Sequence, residues 1–348
     1  MKATYAPYSL HFINPGGTSR GVLTEKQTYF LKIWDESNPL DYGIGECAIF
    51  RGLSKEDNPH YEEKLQELCR NIENNEATDL AEHSSIKFGL EGAILDFTNG
   101  CNRLNFPSKF TDGEQRIPIN GLVWMGTKDE MLGRIDAKIA AGFHTLKLKI
   151  GAIDFNSELE MIDHIRCNYS PEKLEIRLDA NGGFTPDNAI QRLEKLSHFD
   201  IHSIEQPIKA GQWNEMAYLC ANSQIAIAID EELIGITDTL EMNELLRTIS
   251  PKYIILKPSL IGGISGAEDW IKLAAQYDIG GWVTSALESN IGLNTIAQWV
   301  STLEVKIPQG LGTGNLYDNN IISPLEQKED YLCYNPCKKW VIPDFDWK

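Results

Sequence analysis

The stretch "TLKLKIGAIDF", residues 145–155, alternates Leu146, Leu148 and Ile150 with Lys147 and Lys149. Alternation with period two reads as a β-strand, with both lysines on one face and the aliphatic residues on the other. Two ammonium groups one pleat repeat apart are costly to bury unless something compensates them. This strand is one of a series. The apolar runs "IPINGLVW", "TLKLKIG", "LEIRLDANGG", "HSIEQPI", "IAIAIDEEL", "YIILKPSLIGG", "GGWVTSALESNIG" and "PQGLGTGNLY" follow one another from about Ile117. Helical spacing fills 128–142, 157–168, 187–198, 212–222, 237–247, 264–277 and 291–301 between them, and "VKIP" before the last run reads as a weak eighth strand. Such β/α alternation over about 200 residues predicts a parallel sheet, and seven or eight units predict a closed (β/α)8-type barrel.

The residues upstream follow a different pattern. "TYFLKIWDES" and "YGIGECAIF" alternate as antiparallel strands, and 58–77 and 84–100 have helical spacing. Residues 1–115 therefore read as an α+β unit capping the barrel. Within it "NPGGTSRG", residues 14–21, reads as a flexible loop from its Asn-Pro and Gly-Gly pairs. The barrel is assigned to 116–320, and the irregular segment 321–348 is expected to pack back on the cap.

The chain has 348 residues, of which 42% are hydrophobic and 24% charged, a globular balance with ample core. A net charge of −18 argues against nucleic acid or an acidic membrane surface as partner. The start "MKATYAPYSLHF" has no apolar signal core, and no run of roughly 18 apolar residues occurs. A cytoplasmic protein is expected. Seven scattered cysteines read as reduced structural thiols. Trp124, Trp213, Trp270, Trp282 and Trp299 are expected to fill the core or helix–barrel contacts, and no histidine is given a catalytic role.

In a barrel of this type, catalytic groups come from the C-terminal ends of the strands. Five successive strands deliver a charge there: Lys147 and Lys149, then Asp179 with Arg177 and Asn181 on its face, then Glu205, Asp230 and Lys257. Burying isolated charges costs several kcal/mol each, so these must compensate one another or bind something. Asp179, Glu205 and Asp230 come from consecutive strands, and an oxygen-only ligand set suits Mg²⁺ over Zn²⁺. Lysines on the second and sixth strands would flank a substrate carboxylate on such a metal. A divalent cation can stabilise the enediolate left when a proton departs beside a carboxylate, and a lysine of lowered pKa can remove it. Lys147, a like charge, would lower the pKa of Lys149.

With these residues in place the chain resembles the enolase superfamily, specifically its muconate-lactonizing-enzyme subgroup. The motifs are "KLK" at 147–149, "LDANGGF" at 178–184, "IEQP" at 204–207, "IDEE" at 229–232 and "LKPSLIGG" at 256–263. The resemblance implies an enolase-like fold, an α+β N-terminal cap on a modified (β/α)8-type barrel with a C-terminal return to the cap. It implies Mg²⁺, or Mn²⁺ in its place, on Asp179, Glu205 and Asp230. It makes Lys149 the acid/base at the α-carbon, Lys147 the residue that tunes it, and Lys257 the group on the opposite side of the substrate. "TSALESNIGL" at 284–293 and "GLGTGNLY" at 310–317 look most like the o-succinylbenzoate synthases of the menaquinone pathway. That likeness implies a carbon–oxygen lyase acting on a small-molecule carboxylate, with Ser285, the backbone near Gly310, and Asn181 on the substrate. It makes 14–21 a lid whose Arg20 meets the succinyl carboxylate. A homo-oligomer is left open.

Dipeptide epimerases and N-acylamino-acid racemases of the same subgroup share these lysines and carboxylates. The epimerases usually carry Asp-x-Asp where this chain reads "GTGNLY", with Asp318 further on. Two other classes fit these residues less well. A Schiff-base aldolase barrel would need no carboxylate triad. A non-catalytic barrel would have no use for the intact lysines and carboxylates.

Overall fold

The structure is a computed structural model that describes residues 1–18, 21–151 and 153–348. Three long antiparallel strands open the chain: β1 (Lys2–Thr18), β2 (Gly21–Asp35) and β3 (Asn38–Cys47), in that order across the sheet. Alternation in β2 gives the sheet two faces. Tyr29, Leu31 and Ile33 meet Leu65, Leu68, Ile86 and Ala93 of the helices α1 (Tyr61–Asn74) and α2 (Ser84–Thr98) in the cap core. Lys26, Thr28 and Phe30 are buried on the other face. There Phe30 packs with Ile291 and with Phe345 from the C-terminal segment.

The backbones of β3 and α2 touch. A Cβ at Gly45 would collide with the Gly89 carbonyl oxygen and lie 2.8 Å from Ala93 N. Only glycine at both positions allows the helix to lie this close.

The barrel runs through β5 (Gly121–Val123), β6 (Thr145–Lys149), β7 (Glu175–Asp179), β8 (Ser203–Glu205), β9 (Ala226–Ile229), β10 (Tyr253–Leu256) and β11 (Gly280–Val283), all parallel neighbours in chain order. The crossover helices are α3 (Lys128–Ala140), α4 (Phe155–Asn168), α5 (Pro186–Leu196), α6 (Trp213–Asn222), α7 (Thr239–Ile249), α8 (Gly263–Ala275) and α9 (Asn290–Ser301). The eighth staves off a gap with two residues only. Gly310 N donates to Val283 O at 2.8 Å and Ser285 N to Gly310 O at 3.0 Å, while Gln309 N donates to Pro118 O at 2.8 Å and Asn120 N to Gln309 O at 3.0 Å. The closure thus falls within the last apolar run rather than on "VKIP".

Residues 325–334 form a hairpin, β12 (Leu325–Lys328) and β13 (Tyr331–Tyr334), that pairs with β4 (Ile117–Pro118). Past it, Phe345 lies 4.4 Å from the Phe30 ring and Lys348 N donates to Tyr5 O at 2.9 Å. The C-terminal segment therefore divides between barrel and cap.

The stretch read as a loop at 14–21 is strand as far as Thr18, past a register shift between His11 and Gly16. Gly16 lies against the Trp124 ring, and a Cβ at Gly17 would stand 2.5 Å from Met125 O. Here the glycines allow close approach of a strand to the barrel rim, a use that local sequence does not distinguish from a turn. Arg20 lies outside the described residues. All seven cysteines are free, and burial pushes the thiols of Cys69 and Cys220 up to about 12. Among the described residues no helix is long and apolar enough to cross a membrane.

The β3–α2 contact generates a test. Gly45→Ala is expected to destabilise the protein by about 3 kcal/mol in urea unfolding, because neither backbone can retreat. Gly133→Ala, in exposed α3 with nothing within 4 Å of the new Cβ, is the control and is expected to stabilise by about 0.5–1 kcal/mol.

Candidate active site

In-register parallel pairing builds the charge row. Lys149 on β6 pairs with Asp179 on β7, and Asp179 pairs with Glu205 on β8. Asp230 follows β9 and Lys257 follows β10. Leu146 and Leu148 face the helices and join the main core, which leaves Lys147 and Lys149 on the inner side.

The ammonium groups lie on the carboxylates. Lys147 Nζ donates to Glu205 Oε2 at 2.6 Å and sits 2.9 Å from Asp179 Oδ2. Lys149 Nζ donates to Asp179 Oδ2 at 2.6 Å and to Asn181 Oδ1 at 2.6 Å. Lys257 Nζ is bonded to Asp230 Oδ2. Asp179, Glu205 and Asp230 are at most 1% exposed. Asn181 and Gln206 have left-handed φ angles of 44° and 42° and turn the chain out of the strand ends. Gln206 Oε1 accepts from Asp230 N at 3.2 Å, tying β8 to the carboxylate beyond β9.

The charges divide the three lysines. Burial works against the charge of all three. At Lys147 it is outweighed by Asp179 and Glu205, which hold the amine above its ordinary value. At Lys257 it is outweighed by Asp230 and Glu205, with the same result. At Lys149 burial prevails over Asp179, and Lys147 adds to the lowering. Burial is the larger cause of the lowering at Lys149 and Lys147 the smaller. Burial raises the Glu205 carboxyl well above the usual range, and repulsion from Asp179 and Asp230 adds to it. Asp179 is carried below the range because Lys147 and Lys149 outweigh its burial.

Above the charges lies a pocket with about 700 Å³ of unfilled space, part of it open solvent. Lys147, Lys149, Lys257, Asn181, Ser285 and Gly310 all line it. The three carboxylates do not reach its surface and are covered by the lysines they hold. Gly310 spends its N–H and C=O on barrel closure, and a Cβ there would stand 2.5 Å from Thr284 Oγ1.

Several lining residues were not anticipated. Leu23, Phe50 and Leu53 come from the cap. Trp124, expected in the core, is a pocket wall, set edge-on to Phe12 at 6.4 Å. Trp270, Trp282 and Trp299 are fully buried as expected. Asn120 Oδ1, Thr284 Oγ1 and Thr313 Oγ1 are buried pocket atoms with no hydrogen-bond partner among the described residues. Nothing in local spacing marks them, because they meet only when the first and last strands close.

Arg177 serves the opposite end of the barrel. Its guanidinium donates to Pro308 O at 2.8 Å and lies 4.5 Å from the Trp282 ring. Of the two acids after Asp230, Glu231 accepts from Asn181 Nδ2 at 3.0 Å and so reaches the site. Glu232 accepts from Gly211 N at 2.9 Å and Trp213 Nε1 at 3.1 Å and clamps a loop.

Among the described residues no three His, Cys, Asp or Glu side chains already converge as a closed ligand set. Asp179, Glu205 and Asp230 are instead turned onto lysines. Glu205 Oε1 is nonetheless buried with no hydrogen-bond partner among the described residues, and all three donors are oxygens. That donor chemistry fits a hard divalent cation.

Residues 130–331 match the family model described as Enolase C-terminal domain-like. The chain is 45% identical to o-succinylbenzoate synthase of Desulfotalea psychrophila, over 93% of this chain and 96% of that protein. The crystal structure of MenC from Desulfotalea psychrophila superposes with a TM-score of 0.86 at 42% identity, covering 96% of this chain and 99% of that one. The fold is shared more widely. A dipeptide epimerase from Cytophaga hutchinsonii, complexed with Mg and a dipeptide, superposes with a TM-score of 0.80 at 20% identity, covering 96% of this chain and 94% of that one. With the family model spanning most of the barrel and a relative of such identity matched along almost its whole length, the chain belongs to the enolase superfamily, among its o-succinylbenzoate synthase-like members.

Proposed function

We propose that this pocket catalyses the syn dehydration of 2-succinyl-6-hydroxy-2,4-cyclohexadiene-1-carboxylate to 2-succinylbenzoate. The observation that carries the reading is one pocket lined by Lys149, from the second barrel strand, and by Lys257, which follows the sixth, above three buried carboxylates. The identity to o-succinylbenzoate synthase supports this reaction among those such a pocket could perform.

Asp179, Glu205 and Asp230 are the residues that would hold Mg²⁺, or Mn²⁺ in its place. A bound divalent cation would supply positive charge against the substrate carboxylate as the α-carbon gives up its proton. Lys149 Nζ takes that proton, and the same ammonium returns it to the hydroxyl leaving from the adjacent carbon on the same face. One C–H and one C–O bond break, the ring gains its third double bond, and water departs. Lys257 stays cationic and faces the ring from the other side. Asn181, bonded to Lys149, aims the base. Asn120, Thr284, Thr313 and Ser285 offer polar atoms to the succinyl end, and Leu23, Phe50, Leu53 and Trp124 exclude water. Residues 14–21 would form the lid, with Arg20 toward the succinyl carboxylate.

Racemisation of N-acylamino acids or dipeptides is the second reading, and it needs both lysines as bases. Asp318, the carboxylate nearest the "GTGNLY" motif, lies away from the pocket, 3.9 Å from His11 Nδ1 at the surface.

Loss of diene absorbance with substrate and Mg²⁺ is the deciding assay. Lys149→Ala is expected to lower kcat by about 10³-fold or more, as removal of a general base does. Lys257→Ala is expected to cost about 10²-fold. EDTA should abolish turnover and Mg²⁺ restore it. A wild type that binds Mg²⁺ yet turns over nothing would sink the reading, and α-proton exchange in D₂O with N-acylamino acids would then identify the alternative.

The pH profile tests the role of Lys147. Protonated Lys149 cannot accept the α-proton, so kcat/KM should rise as pH rises through its lowered pKa. Lys147→Met removes the like charge that lowers Lys149. The acid limb should then move to higher pH, while Lys147→Arg keeps it in place.

A further inference from the structure

The cap also grips the barrel behind the rim that carries Lys257. Helix α8 starts at Gly263, and its N-cap residue, Gly262, has a φ of 92° and no side chain to cap with. The first amides of a helix have no partner within it. Here the acceptors come from α2 of the cap. Ser84 Oγ accepts from Gly262 N at 2.9 Å. Glu91 Oε2 accepts from Ile264 N at 2.6 Å, while Glu91 Oε1 accepts from Ser265 Oγ at 2.6 Å and Ser265 N at 3.3 Å. Glu91 thus serves the second and third helical amides, as an N-cap side chain would, and sets a carboxylate at the positive end of the helix. Burial raises the Glu91 carboxyl, and the bonds from Ser265 and Ile264 work against it. A Cβ at Gly263, whose φ is 79°, would collide with Glu91 Oε2. Paired glycines make room for the carboxylate and leave the local chain no side chain to replace it.

The segment held in this way leads back to the pocket. Lys257 stands one residue past β10, where Leu256 O still accepts from Thr284 N at 2.9 Å. Beyond it a turn carries the backbone. Leu260 N donates to Lys257 O at 2.8 Å, and Ile261 N to Pro258 O at 3.4 Å. Gly235 N donates to Leu260 O at 3.1 Å and joins the turn to the loop after Asp230. Lys257 and Leu260 both line the pocket. The turn is therefore pinned at one end by strand pairing and at the other by Ser84 and Glu91 of the cap.

We propose that Glu91 is a positioning residue for Lys257, acting from the cap through the N-terminus of α8 and the turn 257–263. Neither Glu91 nor α8 touches substrate. Lys257 has to keep its ammonium both on Asp230 and toward the ring, and a turn free at its far end would let the backbone beneath it shift. Docking of the cap then does more than close the pocket, since it also fixes one of the two lysines. The proposal rests on the role given to Lys257 above.

The test compares Glu91→Ala, Glu91→Gln, Lys257→Ala and the Glu91→Ala/Lys257→Ala double variant in the full chain. Misplacing a catalytic group by about 1 Å can cost about 10²-fold in rate. Glu91→Ala should lower kcat for the cyclohexadiene carboxylate about tenfold, with KM within about twofold. Glu91→Gln, which keeps one acceptor oxygen, should lower it about threefold. The double variant should match Lys257→Ala within about twofold, because Glu91 has nothing to position once the lysine is gone. Thr127→Ala, which removes the side-chain cap of α3 from its own loop, should leave kcat within about twofold and so separates loss of a helix cap from loss of this one. Amide exchange in Glu91→Ala should quicken about tenfold at Leu260 and Gly235, which do not bond Glu91, and stay unchanged in β6 and β7. Unchanged kcat, additive effects in the double variant, an equal loss in Thr127→Ala, or exchange quickened only at Ile264 and Ser265 or uniformly through the barrel would overturn the proposal. Should Glu91→Ala not fold, Glu91→Gln must still lower kcat and quicken Leu260, or the proposal fails. The exchange rates need no substrate. They decide whether Glu91 holds the turn even if the wild type does not dehydrate the cyclohexadiene carboxylate, an outcome that counts against the proposed function alone.

Discussion

Three lysines and three carboxylates, all taken out of water at the mouth of one barrel, have to neutralise one another. Any one of them left alone would cost several kcal/mol. Parallel pairing supplies the solution, since in-register strands bring Lys149, Asp179 and Glu205 to one level. Equal numbers of charges do not make the lysines equivalent. Lys147 bridges two carboxylates, Lys257 holds Asp230, and Lys149 shares Asp179 with Lys147. The lysine with the least exclusive partner is the one that burial can discharge.

The surrounding fold keeps water from relaxing this arrangement. Leu146, Leu148, Ile176, Leu178 and Ile204 pack outward against the helices and hold the strands in register. A one-residue slip of β6 would send both lysines into that aliphatic layer, so register and charge are specified together. At the other end Arg177 stacks on Trp282 and plugs the floor. The top is closed by the cap, whose Leu23, Phe50 and Leu53 complete the pocket wall. Low polarity above the lysines strengthens every interaction below them.

The cap is seated by polar as well as apolar contacts. Glu46, one residue beyond the close-packed Gly45, caps α9, so the strand that touches α2 also orients the helix following the seventh barrel strand. Phe345 against Phe30 seals the same face from the C-terminal end.

Periodicity alone determined much of this protein. The period-two and helical patterns after Ile117 specified the barrel, and the charge at the end of each of five strands specified which residues meet at its rim. Both are local properties of the chain, legible wherever strand ends can be located. The tertiary structure decided whatever depends on residues far apart in sequence. The barrel closes through Gln309 and Gly310, too short a segment to show a period. Trp124 became a pocket wall because β1 carries Gly16 up against it. Asn120, Thr284 and Thr313 line one pocket only across that closure. A side chain's period reveals which face it takes, but its partner is set by packing between elements, and no spacing along the chain encodes that.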